Sequence, residues 1–521
     1  MKKTIYLIIL SALVSACSVP GISLSKRAPS SKNESLSDVI SEINKQVSLG
    51  VSSNLECSDK VQNYYEKLYN LSSDDVDLDH LSKKEIRSLV SESFEARLGI
   101  KEKLKALAKG SNGSTACLSA VQDMIRALRY VEDYLIEYEY SSLSYFETMD
   151  FVTLSGQGSL FQKNPKFTFD GIQDLKSGDI ILSRGNAYSS AAIARIGNVD
   201  MQFSHLTLVY EREDGKMYTI EAHIEVGSVV APLQTHVDQK NARTVVFRHK
   251  DQKLAHEAAK IMYKRVKKRQ DKKKNVQYDF AMNYTDSSRL FCSEIVSEGF
   301  KKASEKLYNS TLDVPMYKTK FNKGLIPFLN ILGINIDSKN YEEFDTFGPG
   351  DIQFDPRFEL VAEWRNPKKM KENRFKDAIL TKMFEWMENE NYQLYPPAGI
   401  NIKSKVSWLM RRTPLVKKML EEQFPLNMKA KQLRLFLVLD KVGEKFYNTL
   451  SDAQATQNAT LSPAELYQVL DDFKQNDHDR YVKYRHLVKK YRRYGPRSKV
   501  PFHIKKELKE TKPVFHNYFH N

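Results

Sequence analysis

The segment Phe291-Cys292-Ser293-Glu294-Ile295-Val296-Ser297-Glu298-Gly299-Phe300 decides the reading of this chain. Ile295, Val296, Gly299 and Phe300 recur at helical spacing, and Ser293 and Glu294 fall in the first turn, so a helix is predicted to start at Cys292. A thiol at a helix head faces unpaired backbone N–H groups and the positive end of the dipole. Both favour the thiolate, the nucleophilic form of cysteine. Upstream, Phe203-Ser204-His205-Leu206-Thr207-Leu208-Val209-Tyr210 reads as a strand carrying a candidate base, His205. Met217-Tyr218-Thr219-Ile220-Glu221-Ala222-His223 reads as the next strand and carries a candidate orienting carboxylate, Glu221. A thiol, an imidazole and an acid are the working parts of a thiol hydrolase.

The turn between these strands, at Asp214-Gly215, leaves their pairing open. A two-residue loop joining Glu213 to Lys216 puts His205 and Glu221 on opposite faces. A three-residue loop joining Arg212 to Lys216, or a bulge, puts them on one face. His223 and Glu225 share the parity of Glu221 and are its rivals.

Around this core, strand signals recur at Ile180 to Ser183 and Thr244 to Arg248, with helix patterns at 252–269 and 292–304. The order of short motifs resembles a known family. Gly178-Asp179-Ile180-Ile181 is followed by Ser204-His205 on a strand, Glu221-Ala222, Tyr278-Asp279-Phe280, and Cys292-Ser293-Glu294 on a helix. This resembles the YiiX-like, circularly permuted branch of the NlpC-type papain-fold cysteine hydrolases, in which the His precedes the Cys. The segment from Phe347-Gly348-Pro349-Gly350-Asp351 to Trp364 looks like the closing strands of that group. The resemblance covers about residues 170–368 and implies an α+β domain, a small antiparallel sheet packed on the Cys helix. It implies Cys292 as nucleophile, His205 as base and then acid, Glu221 as the group that orients the ring, and an oxyanion near the Cys292 N–H. Tyr278 is a candidate pocket residue. Neither a metal nor a cofactor is expected.

The N-terminus points to a compartment. Lys2 and Lys3 precede an apolar run from Ile5 to Val14, of signal-peptide length and too short to span a bilayer. Leu13-Val14-Ser15-Ala16-Cys17 resembles the bacterial lipobox, so residues 1–16 read as a lipoprotein signal peptide, Cys17 as the lipidated residue and 17–35 as a tether. Ser18 implies sorting to the outer membrane, facing the periplasm, if the organism is Gram-negative. The two remaining cysteines of the four, Cys57 and Cys117, would then sit in an oxidising compartment, and a disulfide between them is expected.

Three regions follow the tether: a helical one at 36–150, the hydrolase domain at 165–368, and a basic helical one at 371–521. Ser82-Lys83-Lys84-Glu85 is a capping-box pattern, and 117–148 carries a long helical stripe. Asp75, Asp77 and Asp79 have calcium-loop spacing, but His80 stands where glycine is needed and Glu85 falls one position short, which favours a polar interhelix loop. The net charge of +15 is concentrated at the C-terminal end, where residues 371–521 hold 29 basic and 17 acidic side chains. At 480–494, Tyr484, Leu487, Val488 and Tyr491 form a stripe surrounded by Lys483, Arg485, Lys489, Lys490, Arg492 and Arg493. That pattern fits either a helix packed by its stripe with a solvated basic face, or a helix lying on an anionic membrane. Nucleic acid is not an expected partner outside the cytoplasm.

These features predict a lipid-anchored cell-envelope cysteine hydrolase that cleaves an amide bond, with peptidoglycan stem peptides as the leading substrate class. Two alternatives remain open: a thiol acyltransferase or lipid hydrolase acting on phospholipid, and a scaffold built on a decayed fold.

Overall fold

The computed structural model describes residues 35–50, 54–107, 115–197, 200–239, 241–284, 286–342, 344–411, 413, 428–494 and 500–521. The signal peptide, Cys17 and all of the tether except Ser35 lie outside the described residues.

The N-terminal part is helical: α1 (Leu36–Leu49), α2 (Asn54–Tyr69), α3 (Ser73–Val76), α4 (Lys83–Leu107) and α5 (Thr115–Ser141). Ser35 caps α1 in a reciprocal box with Asp38, and Ser82 and Glu85 exchange the expected bonds at the head of α4. The three aspartates are used singly. Asp75 accepts from the N–H of the N-cap residue Ser72, Asp77 pairs with His80, and Asp79 accepts from the Tyr138 hydroxyl. They form a polar interhelix turn. Cys57 on α2 and Cys117 on α5 are joined in a disulfide that closes a sequence separation of 60. Replacing both cysteines by alanine is expected to lower stability by about 3–4 kcal/mol in the chain-entropy account. Urea unfolding of the variant, compared with the oxidised parent, checks this.

A seven-stranded antiparallel sheet follows, in the order β1-β9-β6-β2-β3-β4-β5. Its strands are β1 (Phe161–Lys163), β2 (Ile180–Arg184), β3 (His205–Glu211), β4 (Met217–His223), β5 (Gly227–Pro232), β6 (Arg243–His249) and β9 (Phe358–Arg365). Two-residue strands β7 (Thr319–Lys320) and β8 (Asp345–Thr346) form a separate ribbon. Between the strands lie α6 (Tyr188–Arg195), α7 (Leu233–Val237), α8 (Gln252–Asp271), α9 (Cys292–Tyr308) and α10 (Ile326–Leu332).

The four expected central strands are present: β4 has the expected bounds, β3 starts two residues later than expected, and β2 and β6 run one or two residues longer. Three features differ from expectation. β5 was not expected, because Gly227-Ser228-Val229-Val230-Ala231-Pro232 has little alternation; it forms as an edge strand, where a terminal proline is tolerated. β1 lies ahead of residue 165 and pairs Phe161 with Trp364, so the sheet begins before the expected start of the domain. The segment from Phe347 to Trp364, read as closing strands, contributes one strand to the large sheet, β9. Its first half, Pro349–Phe354, is a 3-10 turn capped by Asp351, whose carboxylate accepts from Gly348 N and Thr319 N. Proline at the first position of that turn cannot donate to a ladder.

Helices α8 and α9 cover one face of the sheet through Ile180, Leu182, Leu206, Leu208, Ile220 and Ala222. Gly299 lets them approach closely, since an added Cβ would stand 2.9 Å from Met262 and 3.2 Å from the Ala258 carbonyl. The other face packs Ile181, Val209 and Val246 against α7 and Trp364. Downstream, α11 (Pro367–Glu390) leads to helices Ala398–Met410, Ala430–Gln457, Pro463–Arg493 and Phe502–Glu510. In the basic stretch 480–494, Leu487 is buried and Tyr484, Val488 and Tyr491 are half-buried, while the flanking Lys and Arg residues are exposed. Arg480 ties this stretch to the carbonyls of Glu510 and Lys512.

Candidate active site

Cys292 is the first residue of α9, and its position is set by the capping of that helix. The Glu294 carboxyl accepts from Phe291 N at 2.9 Å, fixing the chain as it enters the first turn. Burial pushes Glu294 up to about 9, so at neutral pH it is a neutral acid and places no second negative charge beside the sulfur. Cys292 is buried, with 4% of its surface exposed.

His205 opens β3, opposite Ser183 of β2. Its hairpin partner β4 pairs Leu208 with Ile220 and Glu211 with Met217, and Arg212 N donates to Lys216 O at 3.0 Å. The turn is therefore the three-residue loop Glu213-Asp214-Gly215. Continuing the register places Thr207 opposite Glu221 and His205 opposite His223, all with side chains on one face. The question left open by the sequence is answered: His205 Nε2 lies 2.9 Å from Glu221 Oε2. Glu225 is in the exposed turn after β4 and takes no part. His223 stacks on His205 with ring centroids 5.0 Å apart, and its Nε2 lies 3.2 Å from the same carboxylate oxygen.

The structure adds a residue that the sequence did not point to. His236, on the five-residue helix α7, is buried and brings Nδ1 to 3.1 Å from Glu221 Oε2. The same nitrogen is 3.4 Å from the Thr207 hydroxyl. A single histidine in Leu233-Gln234-Thr235-His236-Val237 carries no periodic signal, and only the packing of α7 on β4 delivers it.

The electrostatics follow from these contacts. Burial opposes ionisation of Cys292, but the hydrogen bond and charge of His205, with the Leu206 N–H and the Ser293 hydroxyl, outweigh it and hold the thiol below its ordinary value. Burial likewise disfavours a charged His205, yet its bonds to Cys292 and Glu221 raise it to about 10. Burial would raise Glu221, but His236, His205 and His223 together keep the carboxylate well below the usual range. Glu221 occupies Nε2 of His205, which leaves Nδ1 for the sulfur. Such a set can hold a thiolate–imidazolium pair ready for nucleophilic attack on a carbonyl. Tyr278, bridged to Leu290, is buried and sits within the field of Cys292; burial and that charge raise its phenol far above the ordinary value.

Residues 174–361 match a family described as permuted papain-like amidase enzyme, YaeF/YiiX, C92 family. The middle of this chain is a YiiX-like, permuted papain-like domain. Searches of curated proteins and of solved structures found no match for the chain. The permuted papain-like domain has the α+β architecture expected of it, with helical regions on either side. The family is one of amidases, and the match supports a hydrolase. Among the described residues, one group of side chains has donor atoms close enough for a metal ion: His205, Glu221 and His223.

Proposed function

We propose that this protein is a cysteine amidase of the bacterial cell envelope, held to a membrane by lipid on Cys17, whose substrates are peptidoglycan stem peptides. The observation that carries the reading is Cys292 at a helix head beside a histidine whose far nitrogen is bonded to a buried carboxylate. The Cys292 thiolate attacks the amide carbon, and the oxyanion develops near the Cys292 N–H, one of the helix-start donors with no intrahelical partner. The C–N bond breaks as the His205 imidazolium gives its proton to the leaving amine. Neutral His205 then takes a proton from water, which attacks the acyl-enzyme and frees Cys292.

The test incubates purified protein with peptidoglycan digests and, in parallel, with phospholipid vesicles. New amine termini from the muropeptides support the reading. Release or transfer of acyl chains from the lipid alone would replace it with the acyltransferase or lipid-hydrolase alternative.

Within this mechanism Glu221→Gln is expected to keep activity but lower kcat/KM by about 10- to 100-fold, because the amide still reaches His205 while the charge that favours its imidazolium is gone. Kinetics across pH would show the basic limb of the profile moving to lower pH. A profile identical to wild type would remove Glu221 from the mechanism. For the anchor, Cys17→Ser is expected to leave the protein unprocessed or soluble. Processed variant that still fractionates with membranes would contradict lipidation.

A further inference from the structure

Three imidazoles share one carboxylate oxygen. His205 Nε2, His236 Nδ1 and His223 Nε2 stand 2.9, 3.1 and 3.2 Å from Glu221 Oε2. That is more donors than orienting one catalytic histidine requires, since a single partner suffices for that role. Nitrogens converging on one carboxylate are also the arrangement that a borderline transition-metal ion selects, through imidazole and carboxylate ligands.

We propose that His205, Glu221 and His223 form a binding site for a divalent cation of the zinc type, and that occupancy of this site switches the hydrolase off. The donor atoms of the three residues all lie within 4.8 Å of one another. Tetrahedral zinc with bonds of about 2.0–2.1 Å needs donors roughly 3.4 Å apart. The two nitrogen-to-carboxylate distances of 2.9 and 3.2 Å are close to that spacing, so modest turns of the carboxylate and rings admit the ion. Access is from the histidine side, where the His205 and His223 side chains are 17% and 26% exposed and Glu221 is 1% exposed. His205 and His223 stand opposite each other at one end of the β3–β4 hairpin, with their rings already stacked. His236 completes the design from behind, as a buried hydrogen-bond partner that fixes the liganding carboxylate.

The consequence for the reaction is direct, and this half of the inference rests on the hydrolase reading. The cation takes the Nε2 lone pair of His205, and the proton on that nitrogen passes to solvent. Glu221, now a ligand, no longer accepts from the ring. His205 cannot then cycle between imidazole and Glu221-stabilised imidazolium, so proton transfer between Cys292 and the leaving group stops. Cys292 is not required for the cation to bind.

Calorimetric titration of zinc chloride into the full chain carrying Cys292→Ala tests this. One equivalent is expected to bind, and adding His223→Gln, or His223→Asn should the first variant fold poorly, is expected to weaken binding at least tenfold. With the thiol restored, zinc is expected to inhibit turnover, a chelator to reverse it, and His223→Gln to raise the zinc needed at least tenfold. Loss of binding in Cys292→Ala alone would place the cation on the thiolate and overturn the proposal, as would binding indifferent to both His223 variants. Zinc bound at the cluster in a protein that cleaves no substrate would sink the hydrolase reading and the switch, and leave the cation site standing.

Discussion

Replacing Cys292 by alanine is expected to abolish amide hydrolysis, with a loss in kcat on the order of 10⁴-fold or more, and His205→Ala is expected to cost nearly as much. Residues that act as one unit are not additive, so the double variant should be scarcely worse than either single one. The physical test lies in the thiol. In the wild type the thiolate forms below the ordinary thiol range, and His205 stays charged up to about 10. The reactive ion pair therefore persists up to about 10, and alkylation of Cys292 should set in at lower pH than for an ordinary thiol. In His205→Ala, burial is left to oppose ionisation without the histidine that outweighed it. The alkylation curve should then move to the alkaline side of about 8.5, the value of a free thiol. Iodoacetamide labelling of the Cys292 peptide, followed by mass spectrometry from pH 5 to 10, reads this. Superimposed curves would mean the two residues are not partners. A thiol inert at every pH would favour the scaffold reading.

The second large effect concerns stability. Asp377 on α11 is buried and accepts ion pairs from Arg184 of β2 at 2.7 Å, Arg243 of β6 at 3.0 Å and Arg195 of α6 at 3.3 Å. A parallel cluster on Glu363 of β9 takes Arg129 of α5 at 2.9 Å and Arg97 of α4 at 2.7 Å. Asp133 of α5 joins the two, bonding Arg243 and Arg365. These pairs lock the N-terminal helices and α11 onto the sheet. Asp377→Ala would leave buried guanidinium groups short of a counter-charge, so a loss of about 3–5 kcal/mol is expected. Urea unfolding at neutral pH measures it, and a change under 1 kcal/mol would contradict the account. The pH dependence has a definite sign. Burial works against the charged carboxylate, but the three arginines hold Asp377 below the ordinary range. Its contribution is therefore complete above the unfolded value of about 3.9 and is lost as pH falls toward the folded value. Wild type should lose stability on acidification more steeply than Asp377→Ala.

Much of the site was legible in the residues. The head of α9 could be read from the spacing of Ile295, Val296, Gly299 and Phe300, and the β3 and β4 strands from their β-branched and aromatic runs. Those patterns are local, because each reflects which side of one element meets the core. Cys57 and Cys117 could be paired by cysteine arithmetic, and the structure joins them. In the segment after Phe347, Gly, Pro and Asp supply the residues of a tight turn before the expected strand.

What tertiary structure decided was everything that depends on distance across the chain. Whether Glu221 could serve His205 turned on one residue of loop length, and hydrogen bonding from Arg212 to Lys216 settled it. His236 entered the site only because α7 folds back over β4. The ion pairs of Arg184, Arg195 and Arg243 with Asp377 and of Arg97 and Arg129 with Glu363 join residues that are between 134 and 266 positions apart in sequence. The sequence by itself determined which side chains could act as nucleophile and base and which segments would be helix or strand, since periodicity and composition act over a few residues. The convergence of three imidazoles on one carboxylate, and the depth at which each charge is buried, were decided by packing, because both depend on which distant surfaces exclude water together.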